Sequence, residues 1–275
     1  MGDNHPEMGI TVRVSGRITN YHEAGAGPPV LLLHGSGPGV SAWSNWRSTL
    51  PALGKSFRVL APDVVGFGFT ETPPDLKFDT DMWAQHVIGF LDALDVPAAH
   101  LLGNSFGGAL AAQVAVRHPE RVNRLVLVGS VATRFPLTEE LDAVWGYTPS
   151  FENMRDLMSI FMYDSNQFDR DSIQLRLDTS QRPGRQEAFA RLFPAPRQRW
   201  VDALASPEAE LAALRHRVLI VQGRDDRVVP MRASLQLHTL IERSELHLFG
   251  ACGHWPHVEH AERFNQLVTD FLLAD

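Results

Sequence analysis

At 275 residues, with 44% hydrophobic and 21% charged side chains, the chain has the makeup of a globular enzyme with a sizeable core, which excludes a disordered or fibrous protein. A formal net charge of −7 and a pI near 5.9, without a dense Lys/Arg cluster, exclude a nucleic-acid footprint. The single cysteine, Cys252, rules out an intrachain disulfide and a cysteine metal cluster; the opening MGDNHPEMG lacks an apolar leader core, and no run nears the roughly 18 apolar residues of a membrane span, so a soluble, cytoplasmic protein without an anchor is expected.

Residues 10–22 alternate in short segments and predict a β-hairpin that opens a sheet. Pro29-Val30-Leu31-Leu32-Leu33 is apolar without alternation, the pattern of a strand covered on both faces. It runs into the turn His34-Gly35-Ser36-Gly37-Pro38-Gly39, which lacks the Lys-Ser/Thr pair of a P-loop and the spacing of a dinucleotide fingerprint. Such a turn suits a loop that offers backbone N–H groups to a developing oxyanion. Residues 41–53 predict a helix, 57–61 a second buried strand and 63–68 a loop. Thr80 is expected to cap the next helix, where Trp83, Val87, Phe90, Leu91 and Leu94 recur at helical spacing.

The apolar run His100-Leu101-Leu102 then delivers Gly103-Asn104-Ser105-Phe106-Gly107, followed by the small residues 108–112. Strand, G-x-S-x-G turn and helix in this order form a nucleophile elbow, whose strained backbone holds the serine Oγ clear and whose glycines avoid a collision. Ser105 is thus a candidate nucleophile, with a helix N-cap as its ordinary alternative. That helix ends at His118-Pro119, and Leu125-Val126-Leu127-Val128 repeats the buried-strand pattern before Gly129-Ser130. Strands alternating with helices imply an α/β fold with a mostly parallel central sheet flanked by helices.

The rhythm breaks over residues 134–206, which read as helical stretches rich in Met, Phe and Trp and broken by prolines. A segment this long is not an ordinary connection. It is expected to be a mostly helical cap inserted before the acid-bearing strand, with residues 1–133 and 207–275 as the core. Val218-Leu219-Ile220-Val221 resumes the sheet and leads to Gly223-Arg224-Asp225-Asp226-Arg227-Val228-Val229-Pro230. Another strand, 246–249, leads to Cys252-Gly253-His254-Trp255, and Phe264, Leu267, Val268, Phe271 and Leu272 mark a final amphipathic helix.

A serine, an aspartate and a histidine therefore each follow a separate strand in the order Ser, Asp, His, the order of the α/β hydrolases. The carboxyl ends of parallel strands are where such loops converge. Ser105 needs a base, His254 suits that role, and a carboxylate would hold the imidazole tautomer; Asp225 and Asp226 compete for it. The oxyanion hole would be the backbone N–H of Phe106 with one from the 35–37 turn, at Ser36. His254, His257 and His260 lie three apart, but Pro256 interrupts them, so surface histidines are favoured over a metal face and no metal is expected. Cys252 reads as a small buried residue.

Taken together, His34 to Arg47, Gly103 to Gly108, Phe193-Pro194-Ala195-Pro196-Arg197-Gln198, Gly223 to Pro230 and Gly253-His254-Trp255 resemble the meta-cleavage product hydrolases of bacterial aromatic catabolism, over nearly the whole chain. The resemblance implies a cofactor-independent hydrolase that cleaves a carbon–carbon bond of 2-hydroxy-6-oxo-hexa-2,4-dienoates, giving 2-hydroxypenta-2,4-dienoate and a carboxylic acid. It selects Asp226 as the acid, through the G-x-x-D-x-x-x-P pattern of Gly223 to Pro230. It also implies that Gly37, Asn45, Asn104, Arg176 and Trp255 surround the hydroxydienoate end, with Arg182 or Arg191 as substitutes for Arg176. Trp145, Phe151 and Met158 are expected around the C6 substituent. The cap resembles that of hydrolases accepting products of monocyclic compounds, with hydrogen or a small alkyl group at C6. A small-molecule substrate and a homo-oligomer are expected, without a nucleic-acid or membrane partner. The triad alone would also permit a generic carboxylesterase, and the fold a non-catalytic ligand receptor; dehalogenase or epoxide hydrolase chemistry is disfavoured because an aspartate would stand at Ser105.

Overall fold

The computed structural model describes residues 5–164 and 168–274; the first four residues and residues 165–167 of the expected cap lie outside the described residues. Eight strands form one sheet: β1 (Ile10–Val14), β2 (Arg17–Ala24), β3 (Pro29–Leu33), β4 (Arg58–Pro62), β5 (Ala99–Asn104), β6 (Val122–Val128), β7 (Arg217–Gly223) and β8 (Ser244–Phe249). Their order is β1-β2-β4-β3-β5-β6-β7-β8; the hairpin β1–β2 and its join to β4 are antiparallel, and every other pair is parallel. The predicted hairpin, buried strands and α/β class all stand.

Alternation along the central strands divides the core. Leu31 and Leu33 face one layer with Trp83, Phe90, Phe106 and Leu110, whereas Val30 and Leu32 face the other with Trp46, Leu53, Phe264 and Val268. Burial of each such side chain contributes roughly 1.5–3 kcal/mol, which explains strands apolar on both faces. On the first layer lie α3 (Thr80–Ala93) and α4 (Phe106–Arg117), and on the second α1 (Ala42–Trp46), α2 (Leu50–Leu53) and, at the chain's end, α12 (Pro256–Glu259) and α13 (Ala261–Leu273).

Two local expectations need correction. The helix expected over residues 41–53 is split into α1 and α2, because Pro51 has no N–H to continue the ladder and its ring would meet the carbonyl four residues back. The cap of α3 is Asp79, not Thr80: the Asp79 carboxylate accepts from the Met82 N–H at 2.7 Å, and Thr80 is the first helical residue.

Among the described residues six helices separate β6 from β7: α5 (Glu139–Trp145), α6 (Phe151–Phe161), α7 (Arg170–Ser180), α8 (Arg185–Leu192), α9 (Gln198–Leu204) and α10 (Glu208–Ala212). They are tied to the core by aromatic contacts. Trp145 stacks on Phe193 at 4.4 Å, and Phe193 meets Trp83 and Phe106 at 5.8 and 5.9 Å. On the same layer, α11 (Met231–Leu240) packs on β7, β8 and α10.

Buried titratable groups give the fold a pH dependence. Burial pushes His86 and His257 down to about 4 and 3, so the folded chain leaves them neutral while unfolded histidines take up protons near pH 6.5. Stability from these two is complete above pH 6.5 and falls as pH drops toward 4. Glu7, pushed up to about 7 by burial, opposes them, because the folded form holds a proton that an unfolded carboxylate releases above about 4.5. Burial lowers His100, to about 4, and His34 as well, so the histidines outnumber Glu7 and the folded state loses stability as pH falls. The urea midpoint should therefore fall between pH 6.5 and 5; a flat or rising midpoint would contradict this assignment of charges.

Candidate active site

The glycine-rich turn, the serine elbow and the Asp- and His-bearing loops all leave the carboxyl ends of neighbouring parallel strands β3, β5, β7 and β8. In this way residues remote in sequence meet along one cavity: Ser36, Gly37, Asn45, Asn104, Ser105, Arg176, His254 and Trp255 all line it. Phe161, Leu141, Val144 and Val228 complete its apolar wall.

Ser105 sits at φ 56° and ψ −116°, a strained conformation for a non-glycine residue that costs on the order of 1–3 kcal/mol. It occupies the N-cap position of α4, yet its side chain accepts no capping bond, so the ordinary alternative for this serine does not describe it. Its main chain is fastened by Ser105 N–H to the Val128 carbonyl at 2.8 Å and by its own carbonyl to the Ala109 N–H at 3.1 Å. The turn is tight enough that a Cβ at Gly107 would lie 2.2 Å from the Leu33 carbonyl oxygen. As the first residue of α4, Phe106 has an N–H without an intrahelical acceptor. The facing Ser36 is held by α5, from which the Trp145 indole N–H donates to its Oγ at 2.9 Å.

His254 is buried, and its Nδ1 donates to Asp226 Oδ2 at 2.7 Å. Asp226 is fixed in turn: Oδ1 accepts from the Val228 and Val229 N–H groups at 2.8 and 2.9 Å, and Oδ2 from Gln222 Nε2 at 2.8 Å. Ser234 Oγ donates to Gln222 Oε1 at 2.7 Å and sets the amide's orientation. Asp225 instead pairs with Arg224 at the surface. Gly129, at φ +50°, lies so close that a Cβ there would stand 3.0 Å from His254 Nδ1. Gln222, Ser234 and Gly129 were not singled out from the sequence; the only trace was a glycine closing a buried strand.

Arg176, on α7, is a buried guanidinium rather than a surface arginine. Its Nε donates to the Pro38 carbonyl at 3.0 Å, and its charge lies 5.2 Å from the centre of the Trp255 ring. Burial pushes its pKa down to about 10, which leaves it charged at neutral pH. Among the described residues no carboxylate pairs with it within 4.0 Å. The two substitutes lie elsewhere: Arg182 covers the Phe69 ring, and Arg191 binds the Pro74 carbonyl at the surface. Asn45 Oδ1 accepts from the Gly35 N–H at 3.1 Å while its Nδ2 donates to His257 Nε2 at 3.0 Å, and Asn104 Oδ1 is buried without a partner.

The expectation of surface histidines is corrected at His257, which is buried and held neutral by burial. Among the described residues no His/Cys/Asp/Glu group has the arrangement of a metal site. Cys252 is buried, and burial pushes its thiol up. Of the three residues expected around the C6 substituent, Trp145 reaches Ser36 in the glycine-rich turn, Met158 lines a neighbouring cleft, and Phe151 lies under Arg170.

This fold and serine elbow define an α/β hydrolase, and a family model described as alpha/beta hydrolase fold matches residues 28–261. The chain is 54% identical over 269 residues to a 2-hydroxymuconate semialdehyde hydrolase of Pseudomonas sp. strain CF600, covering 98% of this chain and 95% of that one. It is 53% identical over 275 residues to a 2-hydroxy-6-oxo-2,4-heptadienoate hydrolase of Pseudomonas putida, covering all of both. A solved meta-cleavage product hydrolase from Pseudomonas fluorescens IP01, complexed with acetates, superposes with a TM-score of 0.96 at 52% identity, covering 97% of this chain and 98% of that one. Within the α/β hydrolases, the chain belongs to the meta-cleavage product hydrolases.

The closeness of Gly129 to the imidazole makes it a sensitive position. Gly129→Ala should lower kcat by about 100-fold by displacing His254, since a misplacement of about 1 Å costs that much, with an unchanged far-UV circular dichroism spectrum. A kcat within twofold of the unsubstituted protein would show that the ring tolerates the shift.

Proposed function

We propose that this carbon–carbon bond hydrolase of meta-cleavage products works through Ser105, His254 and Asp226, with the hydroxydienoate end of its substrate held by Arg176, Asn45, Asn104, Gly37 and Trp255. The observation that carries the reading is a buried, charged guanidinium without an acidic partner in the same cavity as the strained serine and the Asp226-bound histidine. A generic esterase has no need of such a group, whereas a dienoate brings a carboxylate and an enol oxygen that a guanidinium binds as a fork.

In this arrangement Asp226 keeps the proton of His254 on Nδ1, which leaves Nε2 to exchange protons with Ser105 or water. The dienol is first protonated to its keto form, so that the departing carbon fragment leaves as a stabilised enolate. Attack on the C6 carbonyl then develops an oxyanion, which the N–H groups of Phe106 and Ser36 are placed to receive; loss of one such donor typically costs on the order of 10² to 10³ in rate. The chemistry of the donor set calls for no cofactor or metal.

Residues 134–206 are proposed as a cap over residues 1–133 and 207–275, supported by the contacts of Trp145 with Ser36 and of Arg176 with Pro38. Leu141, Val144 and Val228 give the C6 end a narrow aliphatic wall, which supports hydrogen or a small alkyl group there, as in 2-hydroxymuconic semialdehyde or 2-hydroxy-6-oxohepta-2,4-dienoate. No helix among the described residues is long and apolar enough to cross a membrane. A cytoplasmic location is supported by the lone buried thiol, and a homo-oligomer by exposed Met8, Ile10 and Ile18 at the antiparallel edge of the sheet.

Loss of the yellow dienolate absorbance reads the reaction directly. Ser105→Ala and His254→Ala should each remain folded and lose several orders of magnitude in turnover; retention of more than about a tenth would remove them from these roles. The 6-methyl compound and the semialdehyde should show a higher kcat/KM than the 6-phenyl analogue. A clear preference for the phenyl compound would refute the small-substituent reading, and turnover of a p-nitrophenyl ester without bleaching of any dienolate would favour the esterase.

A further inference from the structure

Beside the Ser105 cavity lies a second cleft, which shares Asn45, Arg176 and Trp255 with it. Its outer lip carries exposed Arg47 and Ser48, so the shared residues stand between solvent and the serine. In its wall is Glu7, from the segment before β1. Glu7 is 1% exposed, and among the described residues its Oε2 has no hydrogen-bond partner. No step derived above uses this residue, and a buried carboxyl with an unsatisfied oxygen is costly unless it is neutral or finds a partner.

Two buried groups of opposite sign thus share one cleft without forming an ion pair. Among the described residues Arg176 lacks a carboxylate within 4.0 Å, and Glu7 lacks a cation within that distance. The substrate, read as above, adds a second carboxylate at Arg176. An ionised Glu7 would then face a like charge across a dry cleft, where Coulomb repulsion is weakly screened.

We propose that Glu7 is a positioning residue that acts through Arg176, taking up a proton from solvent as the dienoate carboxylate binds and so leaving the guanidinium to the substrate. Its carboxylate gains one proton and becomes neutral, with no other bond made or broken. The groups around it are consistent with a carboxyl that changes state. Burial raises its pKa most, to about 7; Asp63 raises it, while a hydrogen bond with Ser41 and the charges of Arg176 and Arg182 lower it. Arg47 and the neutral His257 face the same cleft, and His22 Nε2 lies 3.1 Å from the Glu7 carbonyl. The sign follows from these states. As pH rises through the range in which Glu7 ionises, binding must be accompanied by more proton uptake, so KM rises with pH.

This inference rests on the dienoate reading, and the test separates the two. KM and kcat for 2-hydroxy-6-oxohepta-2,4-dienoate are measured from pH 6 to 9 on the unsubstituted protein and on Glu7→Gln. The unsubstituted protein should show a KM at pH 9 about fivefold or more above that at pH 6, whereas Glu7→Gln should hold the low-pH value throughout, with kcat following the same pH profile in both. An identical KM profile in the two proteins would overturn the proposal by assigning the titration to another group, such as the substrate enol. If Glu7→Gln does not fold, calorimetric binding of the same compound to Ser105→Ala at pH 8, in two buffers of different ionisation enthalpy, should show uptake of close to one proton, and no uptake overturns it. Absence of bleaching by the unsubstituted protein would instead count against the dienoate reading itself.

Discussion

The arrangement depends on one buried hydrogen bond, from His254 Nδ1 to Asp226 Oδ2 at 2.7 Å. It joins the loops that follow β8 and β7, and it fixes which ring nitrogen remains for proton exchange. The bond would be loose if Asp226 could rotate, but two backbone N–H groups and the Gln222 amide occupy its remaining acceptor positions. Gly129, from the end of β6, leaves just enough room for the imidazole. Three adjacent parallel strands thus contribute to the placement of a single ring, which is why the site lies at their carboxyl ends.

A second constraint comes from the helices between β6 and β7. Trp145 holds Ser36 in the glycine-rich turn, Arg176 is anchored to the Pro38 carbonyl, and the His254 N–H donates to the Phe161 carbonyl at 2.7 Å. Phe161 also stacks on Trp255 at 4.4 Å. The glycine-rich turn and the histidine loop are therefore braced by this segment as well as by the sheet, and α7 carries the Arg176 guanidinium into the cavity. Strain at Ser105 persists because strands, elbow and brace determine it together.

How much of this was legible in the sequence follows from the reach of each signal. Unbroken apolar strands, the glycines of the elbow and the Ser, Asp, His order depend on local pattern, and they located the sheet and the three loops. Asp225 and Asp226 are adjacent in one loop, so only the family pattern of Gly223 to Pro230 favoured Asp226; the bonds to Val228, Val229 and His254 distinguish them physically. Pro51 splits a helix that periodicity had made continuous, and Asp79 takes the cap because its carboxylate is one residue better placed than Thr80. The walls of the cavity escaped altogether. Leu141, Val144 and Phe161 look like any core residues of amphipathic helices, and Glu7 like a charge in a polar terminus, since burial of a side chain is set by what folds over it.

The central claim is that the Asp226–His254 bond, and not merely a carboxylate in that loop, sets the competence of the site. The most direct test compares kcat for dienolate bleaching in Asp226→Asn and Asp225→Asn. The first should fall by on the order of 10⁴, because an amide at this position favours the wrong imidazole tautomer, while the second, whose partner is a surface arginine, should stay within a few-fold of the unsubstituted protein. Equal losses in the two variants, or the larger loss in Asp225→Asn, would contradict the account.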